Sequence, residues 1–128
     1  MKSFWSHWGN FIILGMVVLG VWWPALFTFF SQDDFTHLRI SQVNSVSDFL
    51  KFFIPRGDAI FYRPISVQLY TWVSRSLFGL NPLGYHAIAL SFHLATVYVV
   101  YSLLKRWLKK EVAWLGALIY GVHPSHFM

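Results

Sequence analysis

Asp33 and Asp34 stand side by side directly after an uncharged run, residues 11–30. Two adjacent carboxylates can split their proton affinities, which suits general-base work. The run ahead of them is roughly 30 Å long at ~1.5 Å per residue, enough to cross a bilayer. The pair is therefore expected at the membrane surface, where the chain leaves the lipid. Ionised groups in that position are costly and tend to be functional. The plainer use of the same two residues is to cap the next segment and mark the end of the span. The residues by themselves leave both uses open.

Arg63 is the second candidate. It precedes Pro64, which restricts its backbone and suits a helix start. An arginine held at the membrane face can grip a lipid phosphate through charge-assisted hydrogen bonds. It can equally meet ordinary anionic headgroups. His86 and His93 share one helical face, one heptad apart, about 10 Å along the axis. His123 and His126 stand near the other end of the chain. Four histidines invite a metal reading, but their spacing matches no recognised site and the two pairs need not meet. Interhelical hydrogen bonding is the better default for histidines in a span. With no cysteine in the chain, neither thiolate chemistry nor a disulfide framework is available. There is no glycine-rich phosphate loop and no Ser-His-Asp spacing. No metal and no cofactor is assigned.

The elements that must position these residues follow from composition. Of 128 residues, 56% are hydrophobic, 20% aromatic and only 12% charged. Soluble domains carry about twice that charged share, and the mean hydropathy is +0.50. A net charge of +5 raises the question of nucleic acid. However, Lys105, Arg106, Lys109 and Lys110 crowd one short segment between apolar runs, which reads as a cytoplasmic loop and not as a phosphate-tracking surface. The expected fold is an all-α membrane protein with three transmembrane helices, the third truncated. They fall at about residues 9–30, 82–104 and 111–126. An outer loop, residues 31–81, carries two juxtamembrane amphipathic helices. Residues 1–128 form a single membrane module.

Local signals sharpen this. The first run is too long for a signal-peptide core and lacks a small-x-small cleavage pattern, so it reads as an uncleaved anchor. Trp5, Trp8, Trp22 and Trp23 fit interfacial belts, and Pro24 should kink the last turns. Val43, Val46, Phe49, Leu50 and Phe53 recur at helical spacing, with a start at Ser47-Asp48 and an end in the turn Pro55-Arg56-Gly57-Asp58. Residues 65–80 are short for a span and read as a second juxtamembrane helix, stopped by Gly79 and Asn81-Pro82; a re-entrant segment is the alternative. Asn81 can cap the next helix with Pro82 at its first position. The basic cluster at 105–110 places that loop inside. The loop holding Asp33, Asp34 and Arg63 is then outside and the N-terminus cytoplasmic. Three apolar elements cannot close around a sizeable polar cavity. The chain is therefore expected to be the N-terminal piece of a larger multi-span protein, or a very small membrane protein.

Several segments converge on a known family. They are Asp33-Asp34-Phe35 after a first span, and Tyr62-Arg63-Pro64-Ile65-Ser66. Leu77-Phe78-Gly79-Leu80-Asn81-Pro82-Leu83-Gly84-Tyr85-His86 comes next, followed by His93-Leu94 and His123-Pro124-Ser125-His126. In order and spacing the series resembles the N-terminal region of bacterial GT-C-type glycosyltransferases. These are multi-span enzymes related to protein O-mannosyltransferases and lipid A aminoarabinose transferases. The resemblance covers nearly the whole chain from about Phe11, though no single motif is specific. Where the family commonly has a glutamate after the His-Pro-x-His motif, this chain has Met128.

The resemblance implies transfer of a sugar from a polyprenyl-phosphate carrier on the outer side of the membrane, in a bacterial inner membrane. Asp33, with Asp34 beside it, matches the acidic residue that acts as base or orients the acceptor. Arg63 matches the basic residue that holds the carrier phosphate, and His86 is a further substrate-binding candidate. The implied partners are membrane lipid, the polyprenyl-phosphate sugar and the remaining spans of a full-length protein, with no nucleic acid. The competing expectation is a small non-catalytic membrane protein that binds lipid phosphate or serves as a helper subunit. A transporter fragment is the weaker third, because paired broken helices with internal symmetry are not seen.

Overall fold

The structure, a computed structural model, describes residues 2–55 and 62–126, with side chains described from Gly9 to Ser125 within those segments. The expected turn at Pro55-Arg56-Gly57-Asp58 falls, from Arg56 on, outside the described residues. So do the side chains of Trp5, Trp8 and His126, and Met128 altogether. Everything regular among the described residues is helical.

Helix α1, Lys2–Trp22, carries the first apolar run. Pro24 has no N–H to donate to an α ladder. The chain accordingly tightens into a 3-10 turn, Trp23–Phe27, and leaves helical geometry before Thr28. The apolar helical stretch is thus Gly9–Phe27, shorter at its end than the expected 9–30. The second long helix, α5, runs Pro82–Leu104, with Pro82 at its first position. The Asn81 side-chain oxygen accepts from the Leu83 N–H at 3.2 Å, as the Asn-Pro signal predicts. Both stretches are long and apolar enough to cross a membrane. Little of either is buried within the chain, 11% and 17% of their apolar windows. A core helix of a soluble domain would be mostly covered.

The described chain divides into two compact units, Met1–Leu26 with Ala87–Met128, and Phe27–His86. The first is built from α1, most of α5, and α6, Lys110–Val122. Helix α6 begins where the third span was expected and ends after 13 residues, followed by a 3-10 turn at Pro124–His126. Its buried face is Ala113, Ala117 and Gly121. Small residues four apart let helix backbones approach closely. Around them Leu14 and Val18 of α1 and Val97 and Tyr101 of α5 are buried. The Gly121 carbonyl lies in the last turn of α6, where backbone acceptors have no helical partner. It accepts from Trp22 Nε1 at 2.8 Å and contacts His93 Nε2 at 2.8 Å. A carbonyl only accepts, so Nε2 is the protonated nitrogen of His93. His93 also stacks on Tyr120 and meets Trp22 edge-on. Trp114 Nε1 likewise donates to the Asn10 carbonyl at 3.0 Å.

The second unit holds α2, Gln32–Ile40, and α3, Val46–Lys51. A π-helical turn, Pro64–Leu69, then continues into α4, Tyr70–Phe78. Helix α2 was not expected, and it packs on both the π turn and α4. It buries Leu38, whose carbonyl accepts from the Arg75 guanidinium at 3.3 Å. Helix α3 begins at Val46, one residue ahead of the expected Ser47-Asp48 start, with Ser45 as its N-cap. The Ser45 hydroxyl accepts from the Asp48 N–H at 3.2 Å, and Asp48 Oδ2 accepts from Ser45 Oγ and the Asn44 N–H. That reciprocal cap fixes the N-cap at Ser45, three residues before Asp48. The Phe49 ring lies 5.5 Å from that of Trp72. Gly79 ends α4 with φ of 61°, a backbone conformation that glycine adopts without a Cβ clash. Pro64 sits at the head of the π turn, as its place after Arg63 predicts.

Candidate functional site

The second unit contains a small cleft of about 120 Å³, lined by apolar as well as polar side chains. Helix α2 supplies Asp34, His37 and Leu38, and the π turn supplies Ser66 and Val67. Helix α4 adds Tyr70 and Thr71, the first turn of α5 adds Tyr85 and His86, and Phe30 closes one side. Asp34 and His37 line the same cleft because residues three apart share a helix face. A π-helical turn widens the ladder by one residue, a distortion often found at functional sites. Here the Tyr70 N–H reaches back to the Ile65 carbonyl.

The hydrogen bonds at this cleft separate the two aspartates. Asp34 Oδ2 accepts from the Ser31 N–H at 2.7 Å and the Ser31 hydroxyl at 3.0 Å. That satisfies donors at the start of α2 and sets a carboxylate at the positive end of its dipole. Asp33 lies in the same first turn but is exposed, and it is not among the cleft-lining residues. Arg63 is also exposed and outside that lining; its carbonyl accepts from the Val67 N–H at 3.0 Å and so begins the π turn. His86 lines the cleft, and its Nε2 lies 3.2 Å from the Thr28 carbonyl and 3.3 Å from Thr28 Oγ1. The carbonyl contact requires a proton on Nε2, so Nδ1 is the acceptor of the neutral ring. The structure thus brings Asp34 and His86 to one cleft and leaves Asp33 and Arg63 on exposed surface.

Two tyrosines brace this arrangement. Tyr70 Oη donates to the Tyr85 carbonyl at 2.7 Å, and Tyr85 Oη donates to the Gly79 carbonyl at 2.7 Å. Burial pushes the Tyr70 phenol above its ordinary value, with the charge of Asp34 adding to the shift. It therefore remains a neutral donor at physiological pH. The Phe30 ring packs edge-on against Tyr85 at 5.1 Å.

His37 is a cleft residue that the sequence reading missed. Its signal was the spacing Asp34–His37, usable only once α2 is known to be a helix. His86 and His93, expected on one face, have separate partners, the first at Thr28 and the second at Gly121. Among the described residues no three of His, Asp and Glu come together as a metal-binding group. Comparison with protein-family models, with curated proteins and with solved structures returned no match to this chain.

Proposed function

We propose that this chain is the N-terminal membrane module of an inverting, polyprenyl-phosphate-dependent glycosyltransferase of the GT-C type. The observation that carries the reading is Asp33, an exposed carboxylate in the first turn of α2, just beyond the apolar stretch Gly9–Phe27. The Asp34 carboxylate already holds Ser31, which supports a division of labour within the pair. The order of the Asp-Asp, Tyr-Arg-Pro, Asn-Pro and His-Pro-Ser-His segments supports it further. In this reading α1 and α5 cross the inner membrane of a bacterium and α6 begins a third crossing. The N-terminus and the 105–110 turn are cytoplasmic, and α2 to α4 lie on the outer face.

Asp33 accepts the proton of an acceptor hydroxyl as that oxygen attacks the anomeric carbon of the carrier-bound sugar. The bond between that carbon and the phosphate oxygen breaks, and its electron pair leaves with the polyprenyl phosphate. Arg63 offsets the charge that gathers on the departing phosphate. Attack from the side opposite the phosphate inverts the anomeric centre.

The test is single-turnover sugar transfer by the full-length protein, with carrier affinity measured alongside. Asp33→Asn keeps the side chain's size and removes the base. Turnover should fall by roughly 10²–10⁴-fold while carrier binding persists. Arg63→Ala should instead weaken carrier binding by about 1.5–3 kcal/mol, with Arg63→Lys recovering only part. Wild-type turnover in a folded Asp33→Asn protein removes Asp33 from the chemistry. Carrier binding without any transfer by the wild-type protein identifies a non-catalytic lipid-phosphate-binding or helper role instead.

A further inference from the structure

We infer that the turn between α5 and α6 is a docking surface for anionic phospholipid headgroups, with Trp107 as its apolar anchor. It rests on the proposed placement of α5 across a bilayer and not on the catalytic role of Asp33. Lys105, Arg106, Lys109 and Lys110 surround Trp107 and Leu108, and Glu111 is the one acid beside them in sequence. Trp107 is 76% exposed and Leu108 44% exposed. An exposed indole set among cations has the make-up of a membrane-interface anchor. At a membrane surface, its ring sits at headgroup level while the cations meet lipid phosphates.

The turn holds this display in a defined shape. The Lys105 N–H donates to the Tyr101 carbonyl at 3.1 Å, and the Arg106 N–H to Leu103 at 2.9 Å. The Trp107 and Leu108 N–H groups both donate to Leu104, at 3.1 and 2.9 Å. The Ala113 N–H then returns to the Lys109 carbonyl at 2.9 Å as α6 begins. Lys105 Nζ lies 4.9 Å from the centre of the Tyr101 ring, which draws that cation back along α5. Arg106, Trp107, Leu108 and Lys109 are exposed. Arg106 and Lys109, exposed on one tight turn, are complementary to a negative leaflet, where each basic residue near the surface contributes about 1 kcal/mol.

The experiment uses the purified full chain in neutral detergent, titrated with phosphatidylglycerol or phosphatidylcholine and read by the lipid retained on the protein in mass spectrometry. The wild type should retain phosphatidylglycerol in preference, and the preference should fall as salt rises. Arg106→Gln with Lys109→Gln removes two exposed cations and leaves α5 and α6 intact. It should lower phosphatidylglycerol affinity by roughly 10- to 30-fold, from about fivefold per cation at ~1 kcal/mol each, while phosphatidylcholine binding is unchanged. Trp107→Ser should weaken retention of both lipids and keep the preference. Equal retention of the two lipids by the wild type overturns the inference. So does undiminished phosphatidylglycerol binding in the double variant, or displacement of the lipid by inorganic phosphate beyond that caused by chloride at equal ionic strength.

Discussion

Replacing each aspartate of the opening pair with alanine should have unequal structural consequences. Asp34→Ala removes both hydrogen bonds that its carboxylate accepts from Ser31, at 2.7 and 3.0 Å. It also removes the negative charge from the N-terminal turn of α2. Loss of such a capping group costs about 0.5–2 kcal/mol. Among the described residues Asp33 accepts no hydrogen bond, and it is exposed, so Asp33→Ala loses only its interaction with the helix dipole, about 0.3–1 kcal/mol. At 1.4 kcal/mol per factor of ten, the Ser31 amide should exchange its hydrogen roughly two- to thirtyfold faster in Asp34→Ala. In Asp33→Ala the change should be at most a few-fold. The assay is hydrogen–deuterium exchange read on peptides covering Ser31 and α2, with α5 as an internal control. Equal acceleration in the two variants, or none at Ser31 in Asp34→Ala, refutes the capping role. The division of labour within the pair would then have no structural basis.

Gly121→Val should destabilise the first unit, because a Cβ there would meet Val18 Cγ2 at 2.7 Å and Val97 Cγ2 at 3.1 Å. The expected loss is about 1–3 kcal/mol in denaturant unfolding, and Gly121→Ala should already be measurable. The start of α3 should loosen in acid. The Lys51 ammonium, then Ser45 and the Asn44 N–H, hold the Asp48 carboxyl below its ordinary value. A lowered folded pKa contributes stability that is complete above the unfolded value, about pH 4, and is lost as pH falls through the folded one. Exchange at α3 should therefore rise only below about pH 4, and Asp48→Asn should remove that dependence. The proposed topology predicts that Ser45→Cys labels with an impermeant thiol reagent in intact cells and Lys109→Cys does not; the reverse pattern overturns the orientation.

The long helices were legible without tertiary information. An uncharged run states its own need for burial or lipid, and Pro24, Gly79 and Asn81-Pro82 act through local covalent geometry. Their effects appear where the residues stand, as a 3-10 turn after Trp22, a stop after Phe78 and a start at Pro82. The segment between Phe30 and Pro82 was legible only in part. Helix α2 has polar residues on most of its surface and buries Leu38 alone, so its apolar periodicity is too weak to announce a helix. Its packing against α4 and the π turn, together with the Asp34–Ser31 cap, makes it one. Short helices draw their stability from such contacts more than from propensity.

The candidate site divides in the same way. The sequence by itself determined that two carboxylates would follow the first apolar run, with Arg63 ahead of Pro64 and His86 early in α5. Which aspartate is occupied by a cap depends on side-chain direction within one helical turn, and adjacent residues point about 100° apart there. That His37 joins Asp34 and His86 at one cleft depends on α2, the π turn and the start of α5 meeting. No spacing rule reaches across fifty residues of intervening chain. The Gly121 carbonyl is the same case in the first unit. Its need for a donor follows from its place in the last turn of a helix. That Trp22 and His93 meet it follows only from how α1, α5 and α6 pack.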